Sequence, residues 1–140
     1  MSKKVLLGAL AVFVVFMVMD FIVHGKLLES AYQETQSMWR PDMMSKMWIF
    51  WVVRLVTAYF FVLIFSKGYE NKGLMEGVRY GLYAGVMLSV GYAYGSYASF
   101  PMPYSMALQW FLYGVATYVI AGVALAWVFS SKMAASAPAA

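Results

Sequence analysis

The sequence predicts an all-α integral membrane protein, a four-helix bundle with its N and C termini on the same, cytoplasmic side. Three observations carry that prediction. The 140-residue chain is 64% hydrophobic and only 11% charged, with a mean hydropathy of +0.71, whereas a soluble domain carries about 25% charged residues. So few polar side chains cannot cover a water-facing surface. The apolar residues also fall into continuous runs close to the ~20 residues that cross a ~30 Å hydrocarbon core. The runs do not alternate, and lipid offers no hydrogen bonds, so each run must satisfy its backbone as a helix rather than as a barrel strand.

The first span, about 5–25, follows Met1-Ser2-Lys3-Lys4 and imitates a secretory signal. Its end, Met19-Asp20-Phe21-Ile22-Val23-His24, has no small-residue cleavage site, so the run is expected to be retained. An interfacial segment, 27–46, comes next. There Leu28, Tyr32, Thr35 and Trp39 recur at helical spacing among Glu29, Glu34 and Gln36. That pattern suits an amphipathic helix resting in the headgroups, or a continuation of the first span; the segment is also placed to lid an outward cavity. Arg40-Pro41-Asp42 stops it, because proline disfavours helix in the residue before it.

The second span, about 47–65, leads into the polar, glycine-punctuated loop Ser66-Lys67-Gly68-Tyr69-Glu70-Asn71-Lys72-Gly73. The third, about 75–97, opens with Glu76 and Arg79 at i, i+3, which are expected to form a solvated salt bridge. It carries Gly77, Gly81 and Gly85, then Gly91 and Gly95, at intervals of four. Such rows let helix backbones approach closely in lipid. The fourth span, about 105–129, answers with Gly114, Thr117, Ala121, Ala124 and Ala126, so these rows are expected to pack spans three and four. A homodimer seam or docking on a larger membrane complex draws on the same feature. Phe100-Pro101-Met102-Pro103 is the tight turn between the two spans. Residues 1–132 thus read as one domain, with 133–140, rich in Ala, Ser and Pro, as a flexible tail.

The net charge of +4 reads as topology, not as nucleic-acid affinity. Lys3, Lys4, Lys67, Lys72, Arg79 and Lys132 flank one side of the spans. Lys26, Arg40 and Lys46 flank the other and are balanced by Glu29, Glu34 and Asp42, which puts both termini in the cytoplasm. The absence of cysteine rules out disulfides, thiolate metal sites and thiol redox chemistry.

Asp20 and Arg54 are the charges in expensive places. A lone ionised group in hydrocarbon costs at least ~2.5 kcal/mol, so such charges face a partner or a watery cavity. At 1.5 Å per residue, Asp20 lies ~9 Å and Arg54 ~10 Å below the outer surface. Antiparallel neighbours would bring them together, and an arginine fork can hold a carboxylate bidentately. His24 shares a helix face with Asp20. Tyr92 on the third span, and Gln109 and Tyr113 on the fourth, occupy the same half. Together these six residues form a candidate ligand-binding pocket opening outward. Trp48, Trp51, Trp110, Tyr104 and Tyr113 read as an aromatic anchoring belt.

No catalytic residues and no metal site are assigned. His24 is the only histidine, and with Asp20 it supplies two donors at most. Ser37, Ser45, Ser66 and Ser89 lack a neighbouring base. The expected function is therefore non-enzymatic: an accessory or assembly subunit of a membrane complex, with the bilayer as its constant partner. The alternative is a binder of a small hydrophobic ligand or cofactor, such as a quinone or haem, or a proton-coupled carrier.

Two stretches, Asp20-Phe21-Ile22-Val23-His24-Gly25-Lys26-Leu27-Leu28 with Tyr32, and Glu76-Gly77-Val78-Arg79-Tyr80-Gly81-Leu82-Tyr83-Ala84-Gly85 through Phe100-Pro101-Met102-Pro103 to Trp110, resemble small four-span bacterial inner-membrane proteins of unassigned function. The resemblance implies a multi-pass protein of the bacterial cytoplasmic membrane. Asp20 in the first span is also similar to the carboxylate that small four-helix drug exporters place there, although here Arg54 would neutralise it.

Overall fold

The computed structural model describes residues 2–130, and the tail expected at 133–140 lies outside them. The described chain is helical almost throughout. It has five α-helices rather than the four expected: α1 (Lys3–Ile22), a short α2 (Glu29–Glu34), α3 (Met47–Gly68), α4 (Leu74–Ser99) and α5 (Tyr104–Ser130). The extra helix lies within the segment expected at 27–46. Ser2 caps α1, its Oγ accepting the Val5 N–H at 3.3 Å.

Three helical stretches are long and apolar enough to cross a membrane: Lys3–Leu27, Met43–Gly68 and Tyr104–Ser130. The third expected span is the exception. Five glycines, five tyrosines, Glu76 and Arg79 lower the hydropathy of α4. Its outward side is nonetheless apolar, with Tyr83, Met87, Val86 and Val90 exposed.

The four long helices alternate in direction, and α1 packs between α3 and α5. Near the chain ends, Val5, Val12, Phe16, Phe61, Phe65, Tyr118, Leu125 and Phe129 form one buried cluster. Tyr80 binds α4 to α3 there by donating its O–H to the Phe61 carbonyl at 2.5 Å. At the far end a second cluster gathers Val23, Leu28, Ala93, Met102, Met106, Ala107 and Trp110.

The α4–α5 crossing is built on small residues. A Cβ on Gly77 would strike the Gly122 carbonyl oxygen, one on Gly81 the Tyr118 carbonyl oxygen, and one on Gly114 the Ser89 hydroxyl. A Cβ on Gly85 would lie 3.1 Å from Val115 Cα, also a tight fit. Gly91 and Gly95, by contrast, face open space. The buried row continues from Gly85 at the same interval, but through Ser89 and Ala93. At 100° per residue, a two-residue offset points Gly91 and Gly95 to the opposite side of the helix.

The loop between α3 and α4 departs from expectation. Glu76 does not ion-pair with Arg79; it is buried, and its carboxylate accepts the Glu70 N–H at 2.6 Å and the Lys72 N–H at 2.8 Å. A glutamate at the third position of a helix is placed to reach back to amides before the first turn. The loop needs that anchor because Asn71 and Gly73 both have positive φ, 58° and 76°. Glu76→Ala is expected to speed trypsin cleavage at Lys72 several-fold in limited proteolysis, with the rest of the helices still protected.

Candidate functional site

Asp20, near the end of α1, and Arg54, seven residues into α3, face each other. Arg54 Nε donates to one Asp20 carboxylate oxygen at 2.6 Å and Nη2 to the other at 2.5 Å, a bidentate fork. Both side chains stay about a quarter exposed (23% and 24%), so the pair is shielded without being sealed. The guanidinium also lies 5.2 Å from the centroid of the Phe16 ring, within cation–π reach. Tyr118 of α5 packs edge-on against the same Phe16 ring, with centroids 5.3 Å apart. Arg54 therefore meets α1 directly and is linked to α5 through the Phe16 ring.

His24 lies on the same side, but its bonding is set by a turn the sequence does not announce. After Ile22 the helix widens into a π-turn over Val23–Leu27 and leads through Leu28 into α2, the Leu28 N–H donating to the Val23 carbonyl at 2.9 Å and the Tyr32 N–H to the Leu28 carbonyl at 3.0 Å. Leu28 is fully buried and Thr35 nearly so. Tyr32 is half-buried, its hydroxyl 2.5 Å from His24 Nδ1 and accepting the Trp110 Nε1–H at 2.9 Å. The His24 and Tyr32 rings stack at 5.9 Å. Trp39 packs edge-on against Tyr32 and donates its Nε1–H to Thr35 Oγ1 at 3.1 Å. Burial holds the Tyr32 phenol well above the usual tyrosine range, so it remains an O–H donor at any physiological pH.

Of the six residues expected to line a pocket, Asp20, Arg54, His24 and Tyr92 share one neighbourhood. Tyr92 enters it by stacking on Trp110 at 4.9 Å. Gln109 and Tyr113 are half-buried on α5 and make no hydrogen bond to the ion pair. Tyr32, Trp39 and Trp110 belong to the cluster although the sequence suggested surface roles for them. Trp110 is 8% exposed, unlike Trp48 and Trp51, which are 59% and 57% exposed as belt residues would be. A buried indole needs an acceptor, and Tyr32 in the connection after α1 is the signal that could have supplied it.

Tyr32→Phe removes the acceptor for Trp110 and the partner of His24. It is expected to cost about 1–3 kcal/mol, the penalty for stranding buried polar groups. Thermal unfolding monitored by tryptophan fluorescence would register the loss.

Chemically, the arrangement holds charges and hydrogen bonds in place. Among the described residues, no group of three or more His, Cys, Asp or Glu side chains converges on a point where a metal ion could sit. Two hollows, of about 450 and 380 Å³, lie away from the ion pair, one near the chain ends and one on the outward side of α4 and α5. Compared with known proteins, the chain matches no family model, no curated protein and no solved structure. The functional reading therefore rests on the chain's own residues.

Proposed function

We propose that the chain is a four-span membrane protein of the bacterial cytoplasmic membrane, with both termini cytoplasmic, that serves as a non-enzymatic accessory or assembly subunit of a membrane complex. The observation that carries this reading is the outward placement of its large apolar side chains. Along the first half of α3, Trp48, Ile49, Phe50, Trp51, Val52, Val53, Leu55 and Val56 are all exposed, while Arg54 among them turns to Asp20. A water-soluble monomer does not present so large an apolar surface, whereas lipid and a membrane partner both accept one. The polar groups at the far end already bond to one another, which favours a structural lock between α1 and α3.

Two measurements test the reading. The chain has no native cysteine, so single cysteines at Ser2, Asn71, Ser37 and Ser99 can be labelled from either face of sealed vesicles. Ser2 and Asn71 are expected to label from one face, Ser37 and Ser99 from the other; uniform labelling would sink the four-span arrangement. A photo-crosslinking residue at Phe50 is expected to capture one defined membrane protein in native membranes, while a species that remains free of adducts counts against the subunit role.

A second reading, a proton-coupled carrier or a quinone or haem binder, draws on the partial exposure of Asp20 and Arg54 beside His24. Liposome uptake driven by a proton gradient and abolished in Asp20→Asn would favour it over the subunit role. A Soret band lost in His24→Ala would identify haem.

A further inference from the structure

The hollow near the chain ends has a composition the ion-paired site does not explain. It measures about 450 Å³ and is lined by Ser2, Lys4 and Val5 of the α1 start, Leu63, Ser66 and Lys67 of the α3 end, with Tyr69 and Phe129 completing it. That volume is within the roughly 300–1,000 Å³ of small-ligand sites. Two of its lining residues, Lys4 and Lys67, are basic. Among the described residues, neither Lys4 nor Lys67 has a carboxylate partner, while Lys72, in the next loop, pairs with Glu70. The Ser2 hydroxyl spends its oxygen on the Val5 N–H, which leaves its O–H to donate. Ser66 donates to the Leu63 carbonyl at 2.7 Å, so its oxygen is available to other donors. The remaining wall is apolar, through Val5, Leu63 and the Phe129 ring.

We infer that this hollow binds a phosphate-bearing anion, supplied by the headgroup of an acidic phospholipid. Lys4 and Lys67 would meet the phosphate, the Ser2 hydroxyl would add a hydrogen bond, and the apolar wall would take the first methylenes of the chains. A free phosphate shares the anionic chemistry but has no use for Val5, Leu63 and Phe129. Basic pockets between helices at the cytoplasmic face are a recurrent way of holding anionic headgroups. The inference rests on the membrane reading above, since only an inserted chain brings this end to the headgroup level.

The test is native mass spectrometry of the full chain, purified in neutral detergent and exposed to equimolar phosphatidylglycerol and phosphatidylcholine. The wild type is expected to retain phosphatidylglycerol preferentially. Lys4→Gln and Lys67→Gln should each lower that preference roughly fivefold, from about 1 kcal/mol per basic residue at such a surface. Lys4→Arg with Lys67→Arg should keep it. Equal retention of the two lipids, or a preference unchanged when Lys4→Gln and Lys67→Gln are combined, would overturn the inference. Inorganic phosphate that displaces phosphatidylglycerol and raises the Tm as much would overturn the lipid as the source and leave a soluble anion in its place. Cysteine labelling at Asn71 and Ser99 in every variant reads insertion separately: loss of opposite-face labelling defeats the membrane reading itself, whereas intact labelling without lipid preference defeats only the site.

Discussion

Arg54→Leu is expected to destabilise the protein by about 3 kcal/mol, because it leaves the Asp20 carboxylate without a counter-charge. Complete burial would push the figure to the upper part of the ~3–5 kcal/mol range for broken internal pairs. The pair is about a quarter exposed, which holds it at the lower end. Asp20→Asn combined with Arg54→Leu removes both charges and should be milder than the sum of the two single changes. Unfolding in detergent, by heat or by titration with a denaturing surfactant, gives the four stabilities that the comparison needs. A coupling of about 0.5–3 kcal/mol is the expected signature of residues in contact. Strict additivity would show that the fork seen between Nε, Nη2 and the two carboxylate oxygens contributes nothing to stability.

Gly81→Val is expected to have an effect at least as large, for a different reason. Its Cβ would fall on the Tyr118 carbonyl oxygen and 2.7 Å from Val119 Cα, both backbone atoms with no rotamer to escape through. Ordinary overpacking costs about 1–3 kcal/mol because side chains can shift. Here the helices themselves must separate along the crossing, so the loss should exceed ~3 kcal/mol and lower the yield of folded protein. Gly95→Ala provides the contrast. Nothing lies within 4 Å of the added methyl, and alanine outranks glycine in a helix by up to ~1 kcal/mol. That variant should be neutral to stabilising in the same unfolding assay. Equal losses at positions 81 and 95 would mean that the crossing is not where these contacts put it.

How much of this was legible beforehand differs from residue to residue. The match between Asp20 and Arg54 could be read from depth alone, since a charge in an apolar run demands compensation and a fixed rise per residue turns sequence position into height. The glycine row could be read in part. Gly77, Gly81 and Gly85 keep one face at intervals of four, and Ser89 with Ala93 extend it, whereas Gly91 and Gly95 share the interval but not the phase. Phase depends on where the partner crosses, which spacing does not encode.

The connection at 27–46 was the least legible. Its helical spacing correctly signals a helical turn over Glu29–Glu34, yet the π-turn at Val23–Leu27 shifts the helical phase, with Leu28 buried beyond it and the half-buried Tyr32 bonded to Trp110. One widened turn changes which face of the next element looks inward, and amino-acid order carries little trace of it. Glu76 was misread for a related reason. A glutamate three residues ahead of an arginine has two local options, and two positive-φ residues in the preceding loop decide for the backbone amides.

The crossing of α4 and α5 has a kinetic implication as well. The connector between them spans four residues, 100–103, so bringing the two rods together costs little chain entropy, and the close approaches at Gly77, Gly81, Gly85 and Gly114 are all made between α4 and α5. Contacts of such short sequence separation form ahead of distant ones. This hairpin is therefore expected to form before α1 and α3 settle into place, an order that pulse-labelled hydrogen exchange during refolding would register as earlier protection in α4 and α5.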